Sequence, residues 1–96
     1  MKLIPLNKTG KNKGKYFAMV DDEDFEYISK FNWSLIYNMS GTKYAEGFIN
    51  GKKVKMHRVL LGLTNPKIFG DHKDFNGLNN QRHNLRVATQ TENNRN

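Results

Sequence analysis

The residues best suited to chemistry lie in the last quarter of the chain, in the segment DHKDFNGLNNQRHNLRVATQTEN. It opens with an aspartate beside a histidine, Asp71-His72, and carries asparagines further on at Asn84 and Asn93. Carboxylate and carboxamide oxygens are ligands for a hard divalent cation. A histidine with an ordinary pKa of about 6.5 can take a proton near neutral pH, and an amide can orient its ring. These residue types indicate metal-assisted chemistry with a histidine base.

The charge of the chain favours a polyanionic partner. Sixteen Lys and Arg against nine Asp and Glu give a formal net charge of +7, and residues 51–96 hold nine of the basic and three of the acidic side chains. Such a surface favours nucleic-acid phosphates, and a surface that serves only solubility is the alternative. The side chains expected to contact phosphates are Lys11, Lys13, Lys15, Arg58, Arg82, Arg86 and Arg95.

Length and composition predict a single small domain. Ninety-six residues are too few for two independent cores, and the absence of cysteine excludes disulfides and thiolate zinc sites. No apolar run approaches the roughly twenty residues that span a bilayer, and the N-terminus does not have the pattern of a signal peptide. We therefore expect a soluble protein without membrane contact, located in the cytoplasm.

The first part of the chain, residues 1–55, predicts an antiparallel sheet platform with one helix, and hence an α+β fold. Strands are expected over residues 2–6, 16–20, 32–38, 43–49 and 52–56, with Asn50-Gly51 as a hairpin turn. The acidic run Asp21 to Glu26 marks the start of the helix, with Asp21 and Asp22 as caps. Because acids are favoured in the first turn of a helix, this run is interpreted as a helix start and not as a metal site.

The second part, residues 56–96, places the chemical segment between short elements. A buried helix is expected over residues 56–63, then a strand that leads into Asp71-His72, a loop over residues 74–80 and a return strand over residues 85–88. A last helix should begin at Thr89 or Thr91. For His57, at the start of the first of these helices, a packed histidine is the expected role, and contact with the active site or a phosphate is the alternative.

The combination of DH, NGLNN, NLR and TEN resembles the HNH endonucleases with a ββα-metal motif, in their phage-type and homing-endonuclease-like branch. The resemblance covers residues 54–96, beginning with the HR of MHRVLLGL, and segments of the N-terminal part also resemble those that precede the motif. It implies a C-terminal ββα-metal (HNH) motif after the antiparallel sheet. The last letter of the motif falls on Asn93, so the chain is an H-N-N variant.

The resemblance implies a role for each of the four residues. His72 would be the general base that activates water, and Asn84 would hold the His72 ring through its side chain. Asp71 and Asn93 would be the protein ligands of one divalent metal ion, Mg²⁺ or Mn²⁺. Magnesium keeps most of its waters and accepts one or two oxygen side chains, whereas zinc would use more His or Cys than the segment contains.

The function expected from these observations is a metal-dependent DNA endonuclease or nickase. It would bind duplex DNA mainly through the backbone, with weak sequence preference, as a monomer or a homodimer. The alternative is a non-catalytic DNA-binding module that keeps the HNH fold. A basic scaffold protein that neither binds nor cuts DNA is the second alternative.

Overall fold

The computed structural model describes residues 1–7, 9–11 and 13–89. Within these residues short strands are interrupted by two α-helices and one 3₁₀ turn. The strands are β1 (Lys2–Pro5), β2 (Phe17–Val20), β3 (Trp33–Tyr37), β4 (Lys43–Ile49), β5 (Lys52–Lys55), β6 (Ile68–His72) and β7 (Leu85–Thr89). The helices are α1 (Asp22–Ile28) and α2 (Met56–Leu61), and the 3₁₀ turn is Arg82–Asn84. This mixture of elements is compatible with the predicted α+β class.

The strands of the first part form two sheets, whereas the sequence predicted one. β1 pairs with β2, and β3, β4 and β5 form a second sheet in that order, with all pairs antiparallel. The two sheets meet at Asn7, whose amide donates to the Trp33 carbonyl (2.8 Å) and whose Oδ1 accepts from the Leu35 amide (3.2 Å). Asn7 has a φ of +62°, so the chain turns away there and the ladder of β1 cannot continue into the second sheet.

The core cluster is shared by the N-terminal strands and the C-terminal segment. Trp33 is buried at its centre, and its indole Nε1–H donates to the Ile28 carbonyl (2.8 Å), which satisfies the one polar atom of the ring. Other members come from every part of the described chain: Ile4, Leu6, Ala18, Val20, Ile28, Ala45, Met56, Leu60, Leu78 and Leu85. The loop that follows β6 therefore joins the core through Leu78, and β7 joins it through Leu85.

Helix α1 begins where the acidic run predicts. Asp22, Glu23 and Asp24 occupy its first turn, where the helix dipole favours negative charge. Asp21 stands at the N-cap position but makes no capping hydrogen bond, contrary to the prediction. Its carboxylate instead accepts from the Arg82 amide (3.2 Å), because the chemical segment packs against this end of the helix.

Helix α2 is a short connector between the larger sheet and the chemical segment. It ends at Gly62, which has a left-handed φ of +68°. The Leu63 amide donates to the Arg58 carbonyl (2.9 Å), so the chain reverses at once toward β6. The helix is two residues shorter than predicted because this left-handed turn replaces its last turn.

The C-terminal hairpin holds the residues expected to carry the chemistry. β6 and β7 are antiparallel, and their register sets Asp71 opposite Arg86 and His72 opposite Leu85. Thr89, one of the two predicted starts of the last helix, is the final residue of β7. The rest of the segment expected to form that helix, the third element of the ββα arrangement, lies outside the described residues together with Asn93. None of the helices in the described ranges is long and apolar enough to cross a bilayer.

Candidate active site

His72 is the last residue of β6, and its ring lies inside an aromatic cluster. The side chain is buried, with 8% of its surface exposed. The His57 ring meets it edge to face at a centroid distance of 4.7 Å, and the Tyr44 ring lies 5.8 Å away. Gly77 lets the loop after β6 approach β4, since a Cβ at this position would lie 2.7 Å from a Tyr44 ring carbon and would overlap the Lys43 carbonyl. The imidazole is therefore held in one orientation.

Asn80 makes the hydrogen bond that orients His72. Its Oδ1 lies 2.7 Å from the imidazole Nε2, and the Asn80 side chain is fully buried. A carboxamide oxygen can only accept, so in the neutral imidazole this bond places the proton on Nε2 and the lone pair on Nδ1. Asn80 Nδ2 is buried without a hydrogen-bond partner among the described residues, which costs about 1–3 kcal/mol. Asn80 ends the loop expected over residues 74–80, and its role at the histidine was not predicted.

Asn84 was predicted to hold the His72 ring, and the structure corrects that assignment. Its Oδ1 accepts from the Asp74 amide (3.0 Å), and its Nδ2 donates to Asp74 Oδ1 (2.8 Å) and to the Asn79 carbonyl (2.9 Å). Asn84 therefore fixes the loop between the two strands of the hairpin and reaches the histidine only indirectly. The physical reason is chain geometry, because Asn84 precedes β7 and lies over the loop backbone.

Asp74 is the centre of this clamp. Besides the bond from Asn84, its carboxylate accepts from the Asn79 side chain (2.9 Å) and the Asn76 amide (2.8 Å). These hydrogen bonds lower the pKa of Asp74 below its ordinary value, and the bond from Asn79 has the largest effect. The Asp74 carboxylate therefore accepts hydrogen bonds from three N–H groups of the loop region, and these bonds fix the shape of the loop.

The same loop is attached to β2 at its other side. The Met19 amide donates to the Leu78 carbonyl (2.7 Å), and the Asn80 amide donates to the Met19 carbonyl (2.7 Å). These two bonds form a short parallel bridge between Met19 and Asn79. The Asn80 backbone is thus fixed by a strand from the opposite end of the chain, which places its side chain against His72.

Asp71 lies beside His72 at the mouth of a small cavity. Neighbouring strand residues point to opposite faces, yet both line one cavity of about 130 Å³ because β6 ends at His72. The Asp71 side chain is 37% exposed, and Arg86 on the paired strand places its Nε 3.7 Å from Asp71 Oδ2. Thr42, Tyr44, Gly70, Phe75 and Arg86 complete the lining. The structure thus brings together three predicted site residues, Asp71, His72 and Arg86.

Two arginines predicted to contact phosphates have contacts inside the fold. Arg58 donates to the Ile68 carbonyl (2.7 Å) and the Asn65 carbonyl (3.0 Å), so it braces the loop between α2 and β6. Arg82 makes a bidentate ion pair with Asp24, with both N···O distances 2.9 Å. The hydrogen bond to that carboxylate raises the pKa of Arg82 above its ordinary value. The structure therefore gives both side chains supporting roles.

The remaining predicted phosphate contacts have different positions. Lys11, Lys13 and Lys15 are exposed in the loop between β1 and β2. Arg86 is exposed on β7 at the cavity. Arg95 lies outside the described residues. Of the arginines within the described chain, Arg86 is the one that lines the cavity with His72.

The carboxylate at the cavity suits a hard cation with few protein ligands. No cluster of at least three His, Cys, Asp or Glu that could hold a metal is found in residues 1–7, 9–11 and 13–89. Magnesium accepts one or two carboxylates and keeps several waters, so Asp71 by itself is a suitable protein ligand for such an ion. The second predicted ligand, Asn93, is not among the described residues.

No family model and no solved structure matches this chain. The chain is 34% identical over 89 residues to an uncharacterised HNH endonuclease of Acanthamoeba polyphaga mimivirus. This similarity supports a relationship between the chain and the HNH family. The matched region is 88% of this chain but 44% of the viral HNH protein, so the chain spans less than half of that relative's length.

The Asn80 contact predicts one tautomer for His72. At a pH where imidazoles are neutral, long-range ¹H–¹⁵N spectra should show the proton of His72 on Nε2 and a bare Nδ1. In Asn80→Leu, which keeps the volume and removes the acceptor, the ring should distribute between both tautomers. The exposed His83 serves as an internal control that should not change. A proton on Nδ1 in the unmodified protein would contradict the assignment, because the amide would then present its nitrogen to the ring.

His57 predicts a loss of stability in acid. The pKa of His57 is lowered from 6.5 to about 3, and burial is the largest cause. The charges of His72, Lys55 and Arg58 lower it in the same direction. Between these values the unfolded chain binds a proton that the folded chain does not, so the free energy of unfolding falls as pH decreases from 6.5 toward 3. This contribution is at most about 1.4 kcal/mol per pH unit.

Urea denaturation over a series of pH values measures this effect. His57→Gln should show a shallower dependence of unfolding free energy on pH across the window, whatever its absolute stability. The carboxylates titrate in both proteins, so the difference between the two slopes isolates His57. Equal slopes would show that His57 is protonated in the folded protein as readily as in the unfolded chain.

Proposed function

We propose that this chain is an HNH-type endonuclease that hydrolyses DNA phosphodiester bonds with His72 as general base. The observation that carries the proposal is the bond from His72 Nε2–H to Asn80, which leaves Nδ1 of the neutral ring free to accept a proton, in a residue that lines one cavity with Asp71 and Arg86. A base with its tautomer fixed by a second side chain is the usual arrangement in histidine catalysis. The similarity to a protein named HNH endonuclease supports the same chemistry.

In this mechanism His72 Nδ1 takes the proton of a water molecule that attacks the phosphorus. The bond to the 3′ oxygen breaks, which leaves a 5′-phosphate and a 3′-hydroxyl. Arg86, exposed at the cavity, pairs with the non-bridging oxygens as they gain charge. A Mg²⁺ or Mn²⁺ ion held by Asp71, with Asn93 as the proposed second ligand, would supply positive charge at the phosphate and the leaving oxygen when bound.

The charge of the chain supports DNA as the substrate. A net charge of +7 favours a polyanion, and exposed lysines such as Lys11, Lys13 and Lys15 can neutralise phosphates without exact geometry. Contacts of this kind release counterions, so affinity should fall steeply with salt and depend little on sequence.

A non-catalytic DNA-binding module is the second candidate, and one observation favours it. The His72 side chain is 8% exposed, so a substrate reaches it only through the small cavity. A module of this kind would bind DNA through its basic surface and leave the backbone intact. The two candidates differ in turnover and not in affinity.

Nicking of supercoiled plasmid separates the candidates. With Mg²⁺ or Mn²⁺ the unmodified protein should convert plasmid to the open circular form, and chelator should stop it. His72→Ala should lower the rate by about 10²–10⁴-fold, as expected for loss of a general base. His83→Ala removes an exposed histidine away from the cavity lining and should retain the full rate. Undiminished nicking by His72→Ala would remove the base assignment, and tight binding without nicking would establish the module.

A further inference from the structure

Phe75 combines two unfavourable properties in the loop after β6. Its side chain is 86% exposed, although an aromatic ring gains most from burial. Its backbone has a φ of +63°, which lies in the left-handed region that residues other than glycine and asparagine rarely adopt. The other non-glycine residues with positive φ in the described chain are asparagines, Asn7 and Asn50. Neither local preference nor packing explains a phenylalanine here.

The clamp around Asp74 enforces this conformation. The Phe75 amide donates to the His72 carbonyl (3.0 Å), and the next amide, of Asn76, donates to the Asp74 carboxylate (2.8 Å). Both neighbours of Phe75 are therefore fixed, and the ring is displayed on a rigid turn. A rigid support for an exposed aromatic side chain is typical of recognition surfaces, because less conformational entropy is lost on binding.

Phe75 is one of the residues that line the candidate catalytic cavity. It lines the same space of about 130 Å³ as Asp71, His72 and Arg86. A phosphate held by the cationic and metal-binding groups of that cavity has a sugar and a base attached to it. The charged groups suit the phosphate, and an uncharged ring suits the face of a base.

We propose that Phe75 is a substrate-contacting residue that stacks on a nucleobase next to the phosphate held at His72. This inference rests on the proposed function for its substrate, DNA. Aromatic side chains that stack on bases tolerate any sequence, in keeping with weak base-specific readout. In a duplex the ring would enter as a wedge, most readily at steps that unstack easily, such as TA.

A contact of this kind predicts opposite effects on stability and on binding. Phe75→Gly removes the ring and relieves the left-handed backbone, so the melting temperature should stay the same or rise by a few degrees. Affinity for duplex DNA should fall by about tenfold, the loss expected for one stacked base. Because the ring is uncharged, the slope of log K against log salt should not change. Phe48→Ala, which removes another exposed phenylalanine on β4, is the matched control and should bind normally.

The experiment uses a TA-rich duplex that carries 2-aminopurine in place of some adenines. With Ca²⁺ present, fluorescence anisotropy gives the affinity, and 2-aminopurine emission reports base unstacking. The unmodified protein and Phe48→Ala should change the emission on binding, and Phe75→Gly should not. Phe75→Asn is the second variant, since asparagine tolerates the same φ, and it should behave as Phe75→Gly does.

The outcomes separate this inference from the proposed function. Loss of affinity and of the emission change in both Phe75 variants, at melting temperatures that do not fall, supports the stacking role, even if no variant of the protein nicks plasmid. Normal binding and emission in those variants overturn it, even if the unmodified protein nicks plasmid. Lower melting temperatures in both variants would show that the ring stabilises the fold and would also overturn the inference. A protein that does not bind the duplex overturns both proposals.

Discussion

The hydrogen bond between His72 Nε2 and Asn80 Oδ1 is the constraint around which the rest of the structure is arranged. It is formed in the interior, where both side chains are buried, and in the neutral imidazole it determines which ring nitrogen carries the proton. Asn80 can make it only because its backbone is bonded to Met19 on β2. The N-terminal hairpin therefore does more than cover a core, since it fixes the orientation of a histidine about fifty residues away in sequence, on β6.

Carboxamides and one carboxylate give the loop between β6 and β7 its shape. Asn79 and Asn84 bind Asp74 from both sides of the loop, and the Asp24–Arg82 ion pair holds its end against α1. A loop fixed in this way needs no regular secondary structure to present a side chain in one conformation. The same rigidity accounts for the left-handed Phe75, whose cost in stability is compatible with a role in binding.

Local patterns in the sequence predicted the positions of the strands and of α1. The side-chain partners that were predicted wrongly depend on contacts between distant parts of the chain. Alternating apolar residues, the acidic run of α1 and the Asn50-Gly51 turn predicted β1 to β5 and α1 close to their observed positions, whereas the 3₁₀ turn at Arg82–Asn84 was not predicted. The partner of His72 was assigned to Asn84 and is Asn80, because the choice depends on a bridge to β2 that no local pattern shows. Arg82 was expected to contact DNA and instead pairs with Asp24 on α1. This pairing was also missed because the two residues are 58 positions apart in the chain. Left-handed φ at Phe75 contradicts residue preference, so no sequence rule could predict it.

The central claim is that Asp71 and His72 form a metal-assisted site at one cavity. Paramagnetic broadening by Mn²⁺ tests it most directly, because ¹H–¹⁵N spectra locate a bound ion without any need for turnover. On addition of Mn²⁺ at low stoichiometry, the amide signals of Asp71, His72 and Arg86 should broaden first, and Asp71→Asn should abolish this effect. Broadening centred on Asp22 to Asp24 of α1, with the signals of the cavity unchanged, would contradict the account.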